Sequence, residues 1–185
     1  MTARGDGGAE VAARVAERLR DVPDFPQPGI VFKDIAPLLA DPDAFGVAIS
    51  ALAGFARAAG GAELVAGIEA RGFLFAAALA RELGCGILPV RKAGKLPPPT
   101  VRRAYDLEYG QAEIEVPVNV ADGRRVYLVD DVLATGGTVR AAAELIGQVG
   151  GQVIGIGVLL ELGFLGGRAR LDGVAHGSIA ALLRS

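Results

Sequence analysis

The sequence predicts an α/β fold, a mostly parallel twisted sheet with helices on both faces. Short apolar runs recur at residues 64–68, 86–90, 126–129 and 153–160, and stretches with helical spacing lie between them at 73–83 and 139–149. Strands that alternate with helices in this way pack as a parallel sheet covered on both sides. The length, 185 residues, suits one domain able to bury its own core, with residues 1–8 as a tail.

The elements follow in order. Residues 1–8 are glycine-rich and expected to be loose. Val11, Val15 and Leu19 give residues 10–20 a helical face, with arginines on the other side. Pro23, Pro26 and Pro28 exclude regular structure from residues 21–29. Residues 43–59 read as a helix. The strand at 64–68 leads through Glu69-Ala70-Arg71-Gly72 into the helix at 73–83. After the strand at 86–90 comes a basic stretch rich in glycine and proline. Residues 112–118 alternate like one strand of a β-ribbon, and Pro117, which cannot donate to a ladder, belongs at an edge or strand end. A strand, helix and strand at 126–129, 139–149 and 153–160 complete the pattern. Ligands of such sheets sit beyond the carboxyl ends of the strands. The loops after Ile68 and Val129 both fall there. There is no internal repeat and no domain linker.

Composition narrows the function. Net charge is −2 and no basic run stands out, which argues against nucleic acid and anionic membranes as partners. The richest apolar stretches, residues 72–80 and 153–160, are too short to span a bilayer. The N-terminus lacks a signal-peptide core, so a cytoplasmic location is expected. Cys85 is the only cysteine, which excludes a disulfide framework and a thiolate cluster and suggests a small core residue. His176 is the only histidine and reads as a loop or sheet-edge residue. Acid–base work therefore falls to carboxylates, lysines or tyrosines.

Chemistry concentrates in three places. The first is the run from Val126 to Thr138. Asp130 and Asp131 close a buried strand, where charge is costly unless used. Ala134, Thr135, Gly136, Gly137 and Thr138 then turn N–H groups and a helix start toward one phosphate. A phosphate at one end and a diol at the other describe a ribose phosphate. The plainer alternative is an ordinary turn in which Thr138 caps the helix. The second is Glu69-Ala70-Arg71-Gly72, where a guanidinium and a helix start form another anion site; alone, an arginine there could equally be a surface ion pair. The third runs from Arg91 to Val118. Arg91, Lys92, Lys95, Arg102 and Arg103 precede Tyr105-Asp106-Leu107-Glu108-Tyr109-Gly110, an arrangement suited to a flexible lid or β-ribbon over an anionic substrate. For Arg102 and Arg103 a solvated basic loop is the favoured reading.

These blocks resemble the type I phosphoribosyltransferases, with the run from Val126 to Thr138 matching their donor loop. Residues 24–35, Asp24 to Ile35, are similar to the N-terminal adenine-side segment of the members that use adenine, and Gly67 to Phe75 to their diphosphate loop. Residues 90–97 and 105–110 are similar to their lid. The resemblance runs from about Val22 to the C-terminus with all blocks in order. It implies the type I fold and transfer of a phosphoribosyl group from 5-phosphoribosyl-1-diphosphate to adenine, releasing AMP and diphosphate, with Mg²⁺ carried by the donor and no direct protein metal site.

The same resemblance implies residue roles. Asp130 and Asp131 hold the ribose hydroxyls, and residues 134–138 hold the 5′-phosphate. Ala70, Arg71, Arg91, Lys92 and Lys95 serve the diphosphate, with a cis bond between Glu69 and Ala70. Phe32, the Val31 backbone and Arg71 serve adenine, and Glu108 is the acid–base residue. A homodimer is implied, because the Arg91 region of the family can come from a neighbouring subunit. Departures lie after Gly110, where residues 111–120 lack the family's usual Lys-Asp or His-Asp, and in the basic Arg102-Arg103. Two rivals stay open: a phosphoribosyltransferase for another purine, and a non-catalytic regulator on the same fold.

Overall fold

Helix α1 (Asp6–Ala16) begins among the glycines, so residues 6–8, expected to be loose, form its first turn, and it stops four residues short of Arg20. The structure, a computed structural model, describes residues 6–106 and 111–185. The chain packs as two units, residues 1–51 and 52–185.

In the first unit, Arg20 leaves the helical pattern because it enters strand β1 (Arg20–Pro23), paired antiparallel with β2 (Val31–Asp34). Cross-strand ion pairs fix the register: Arg20 to Asp34 at 2.6 Å and Lys33 to Asp21 at 2.6 Å. Regular structure thus reaches into residues 21–23, with Pro23 at the strand end, where a missing donor is tolerated. Between the strands the Asp24 carboxylate accepts the Gly29 N–H at 2.8 Å. Two helices follow, the short α2 (Ala36–Ala40) and α3 (Pro42–Ala58), which continues into the second unit.

The second unit is built on a seven-stranded sheet. Strand β3 (Leu64–Ile68) is buried at every position, and α4 (Arg71–Leu83) covers it with Phe75, Ala76, Leu79 and Ala80. Gly84, at φ 70°, closes that helix in the left-handed region. The chain continues through β4 (Gly86–Lys92), β5 (Thr100–Asp106), β6 (Gln111–Pro117) and β7 (Arg125–Leu133). It ends with α5 (Gly137–Gln148), β8 (Gln152–Glu161) and β9 (Ile179–Arg184). The spatial order is β5-β6-β4-β3-β7-β8-β9, parallel from β4 to β9, with β6 and β5 antiparallel at one edge. Pro117 is the last residue of β6, at a strand end as expected.

Residues 100–106, read from sequence as part of a flexible segment, form a regular strand because every residue of β5 finds a partner on β6. On β8, Gly155 and Gly157 lie against the Tyr127 ring. A Cβ at Gly155 would stand 2.9 Å from Tyr127 Cε2, and one at Gly157 2.6 Å from its hydroxyl.

Candidate active site

The pairing of β7 explains why its carboxylates are usable. Its ladder with β3 ends at Gly67 opposite Val129, whereas its ladder with β8 continues to Leu133 opposite Glu161. Asp130 and Asp131 therefore lie inside a strand that overshoots its neighbour, rather than at its end. Strand alternation sends their side chains to opposite faces. Asp131 is 4% exposed, with Arg71 Nε 2.8 Å from its Oδ2. Asp130 is half-buried and accepts the Asp131 N–H at 2.9 Å. Burial, reinforced by the Asp131 carboxylate, pushes Asp130 well above the usual carboxylate range. Burial also raises Asp131, and Arg71 pulls it back.

Arg71 reaches Asp131 because α4 starts unusually close to the strand ends. A Cβ on Gly72 would meet Asp130 Oδ1 at 2.9 Å and Val129 O at 3.1 Å. One on Gly67 would meet Ala76 Cβ at 2.5 Å. The preceding peptide, Glu69–Ala70, is cis, and no side chain caps the helix at Ala70. Glu69 accepts from Arg91 at 3.2 and 3.3 Å and from the Lys92 N–H at 3.0 Å, contacts that hold its carboxyl below the usual range. Arg91 also donates to the Lys95 carbonyl at 2.9 Å, while the Lys92 and Lys95 side chains are exposed.

The loop after β7 departs from an ordinary capped turn. Gly136 is the N-cap of α5, at φ 82°, and makes no side-chain cap, so the helix does not start on Thr138 as a capping residue. Among the described residues the first N–H groups of α5 thus have no side-chain cap, the condition that makes a helix start receptive to an anion. Asp130, Val132 and residues 134–139 line a cavity of about 70 Å³ there.

Arg102 and Arg103 are not a solvated loop. Arg102 Nε donates at 3.0 Å to Glu115, which is 0% exposed, and Arg103 pairs with Glu144 of α5 at 2.5 Å. Glu115 also accepts the Lys95 and Leu96 N–H groups at 2.7 and 2.8 Å and the Thr100 hydroxyl at 3.1 Å. Burial pushes its pKa up, but these donors outweigh it and hold the carboxyl low. Glu108, the expected acid–base residue, lies with residues 107–110 outside the described residues.

In the first unit, Val31 is 52% exposed and Phe32 half-buried, with the Phe25 ring edge-on to Phe32 at 5.2 Å between centroids. His176 is exposed in the loop before β9, as expected. Cys85 is half-buried rather than a core residue, since it sits in the exposed turn between α4 and β4. Sequence reasoning passed over Glu115 and Glu161. Glu161 carried a readable signal, a carboxylate directly after an apolar run, as Asp130 is in the sequence. Glu115 sits in an alternating segment and carried none.

Residues 39–170 match the phosphoribosyl transferase domain, so the chain belongs to that family. It is 60% identical over 162 residues to the adenine phosphoribosyltransferase of Frankia casuarinae, covering 87% of this chain and 86% of that one. The crystal structure of adenine phosphoribosyltransferase from Thermoanaerobacter pseudethanolicus superposes with a TM-score of 0.88 at 46% identity, covering 94% and 99% of the two chains. The Saccharomyces cerevisiae enzyme, complexed with an imino-altritol bisphosphate and adenine, also gives 0.88, at 37% identity and 95% and 99% coverage. Within the family the chain falls among the adenine phosphoribosyltransferases, enzymes of the pentosyltransferase class.

Proposed function

We infer that the chain transfers the 5-phosphoribosyl group of 5-phosphoribosyl-1-diphosphate to adenine, giving AMP and diphosphate in purine salvage, and we propose a role for each site residue. One observation carries the donor assignment: the uncapped start of α5 and the Asp130 carboxylate line the same cavity. A 5′-phosphate held by residues 134–138 leaves its ribose beside Asp130 and Asp131, whose oxygens accept the hydroxyls.

As diphosphate leaves, positive charge develops on the ribose ring, and these carboxylates stabilise it. Arg71 serves the diphosphate and the adenine side. Ala70, Arg91, Lys92 and Lys95 complete the diphosphate site, Arg91 being oriented by Glu69. Phe32 offers its ring to the adenine face, Val31 its backbone to the edge, and Glu108 manages the proton on the adenine imidazole.

Mg²⁺ would arrive on the donor's diphosphate, with no protein side chain as its direct ligand, and the residues that hold that diphosphate would hold the ion with it. When bound with the donor, it supplies charge neutralisation to the leaving diphosphate. In this reading residues 1–185 act as one phosphoribosyltransferase domain, in a cytoplasmic homodimer. Among the described residues no helix is long and apolar enough to cross a membrane.

The test is AMP formation from adenine and the donor, beside hypoxanthine, guanine and xanthine. AMP as the dominant product is expected. Preference for another base, or no turnover, overturns the reading.

A further inference from the structure

The carboxyl end of β8 carries an ion-pair cluster that the roles above leave unused. Glu161 is 6% exposed. It accepts Arg168 through both oxygens, from Nε at 2.8 Å and Nη2 at 2.5 Å, and Arg184 lies 3.2 Å away. Arg168 spends its third nitrogen, Nη1, on the Ile179 carbonyl at 2.7 Å. One guanidinium therefore ties the last residue of β8 to the first of β9. Two parallel hydrogen bonds to a carboxylate fix a guanidinium in direction as well as place.

The residue before it, Gly167, touches the phosphate loop with backbone alone. A Cβ on Gly167 would lie 2.0 Å from Ala134 O and 2.9 Å from Gly136 N. The contact is reciprocal, since a Cβ on Gly136 would lie 2.5 Å from Gly167 O. No flexible side chain stands between the two segments to absorb a shift. The loop is held on a second side where Leu162 N–H donates to Leu133 O at 2.9 Å. Whatever fixes Gly167 thus fixes residues 134–136, which open the cavity at the start of α5.

We propose that Arg168, gripped by Glu161, is a positioning residue for the donor's 5′-phosphate: it seats Gly167 against the phosphate loop and so sets where the loop's N–H groups point. The proposal rests on the reading that residues 134–138 hold that phosphate. Small misplacements of a binding loop by residues remote from the chemistry carry large effects.

The experiment compares AMP, which carries the 5′-phosphate, with adenine, which does not, by calorimetry on the full chain. Arg168→Ala is expected to raise the AMP Kd about tenfold or more, on the scale of lost positioning, with the adenine Kd unchanged. In turnover the donor KM should rise with kcat little altered. Arg168→Lys, which keeps a cation but not the fork, should recover part of the loss.

A structural role alone would lower the melting temperature and move both ligands together, and that result overturns the proposal, as does a wild-type AMP Kd. Should Arg168→Ala fail to fold, Arg168→Lys decides: a selective loss of AMP affinity supports the positioning role, and unchanged or unselective affinity overturns it. Thr135→Ala separates the two levels. If it leaves the AMP Kd unchanged, the phosphate-loop reading itself fails. If it weakens AMP while Arg168→Ala does not, only the positioning role fails.

Discussion

Arg71 and Asp131 form an ion pair of unequal partners: the carboxylate is 4% exposed, while the guanidinium side chain keeps 40% of its surface in solvent. Burial pushes the carboxyl up, and the arginine is the largest of the contacts that oppose its protonation.

Arg71→Gln should therefore raise the Asp131 pKa further. Protonated oxygens accept ribose hydroxyls poorly, so the pH below which donor affinity falls should move upward in the variant. Calorimetry with the donor at a series of pH values checks this. An unchanged pH profile with merely weaker binding would show that Arg71 acts on the ligand alone.

Asp130→Asn separates stability from binding. A carboxyl whose folded pKa is raised opposes folding once pH exceeds its unfolded pKa of about 3.9. The neutral amide removes that opposition, so the variant should melt higher than wild type at neutral pH. Its donor affinity should fall by about 1–3 kcal/mol, the scale of a lost charged acceptor. Thermal melts beside calorimetry test both signs.

Phe32→Ala should raise the adenine KM about tenfold, from a stacking loss of about 1–3 kcal/mol by analogy with base–aromatic platforms. Donor affinity should move little. Because Phe32 is half-buried and meets Phe25 edge-on, only a modest drop in melting temperature is expected. A large drop without a kinetic effect would make it a packing residue.

Glu108→Gln should lower kcat about a hundredfold or more, the usual scale for general acid–base groups. Substrate affinities should change far less. A variant with near-normal kcat and raised KM would make Glu108 a binding contact.

Glu115→Gln tests the anchor beneath the segment after β4. The glutamate's pKa is lowered on folding, so its stabilisation is present above the unfolded value, about 4.3, and is lost as pH falls through the folded one. The variant should be less stable at neutral pH by about 1.5–3 kcal/mol. The gap to wild type should close as pH falls past the unfolded value and through the lowered folded one. Urea melts across that range measure it.

The sheet was legible because its strands are continuous apolar runs, and the donor loop because two acids and two glycines are improbable beside a buried strand. The strand β9 was not, although residues 179–183 are all apolar, since the run is short and built of Ala and Leu, which carry little strand propensity. Strand β5 was hidden by its charges: Arg102 and Arg103 look solvated until Glu115 and Glu144, distant in sequence, are brought beside them. The start of α1 was masked by glycines, whose low helix propensity predicts loose chain. Local chemistry reads directly from sequence, whereas partners supplied by the fold do not.

The slot that Gly155 and Gly157 leave for Tyr127 couples two strands in their tolerance of change. The ring and the missing side chains share one volume, divided unevenly between β7 and β8. A methyl arriving first at Gly157 meets the tyrosine hydroxyl, whereas the same methyl arriving after position 127 has shrunk fills a void. At position 157 the order of substitutions then matters as much as their identity, whereas Gly155 is also crowded by Ala59 and the Ser178 carbonyl and stays closed when the ring shrinks.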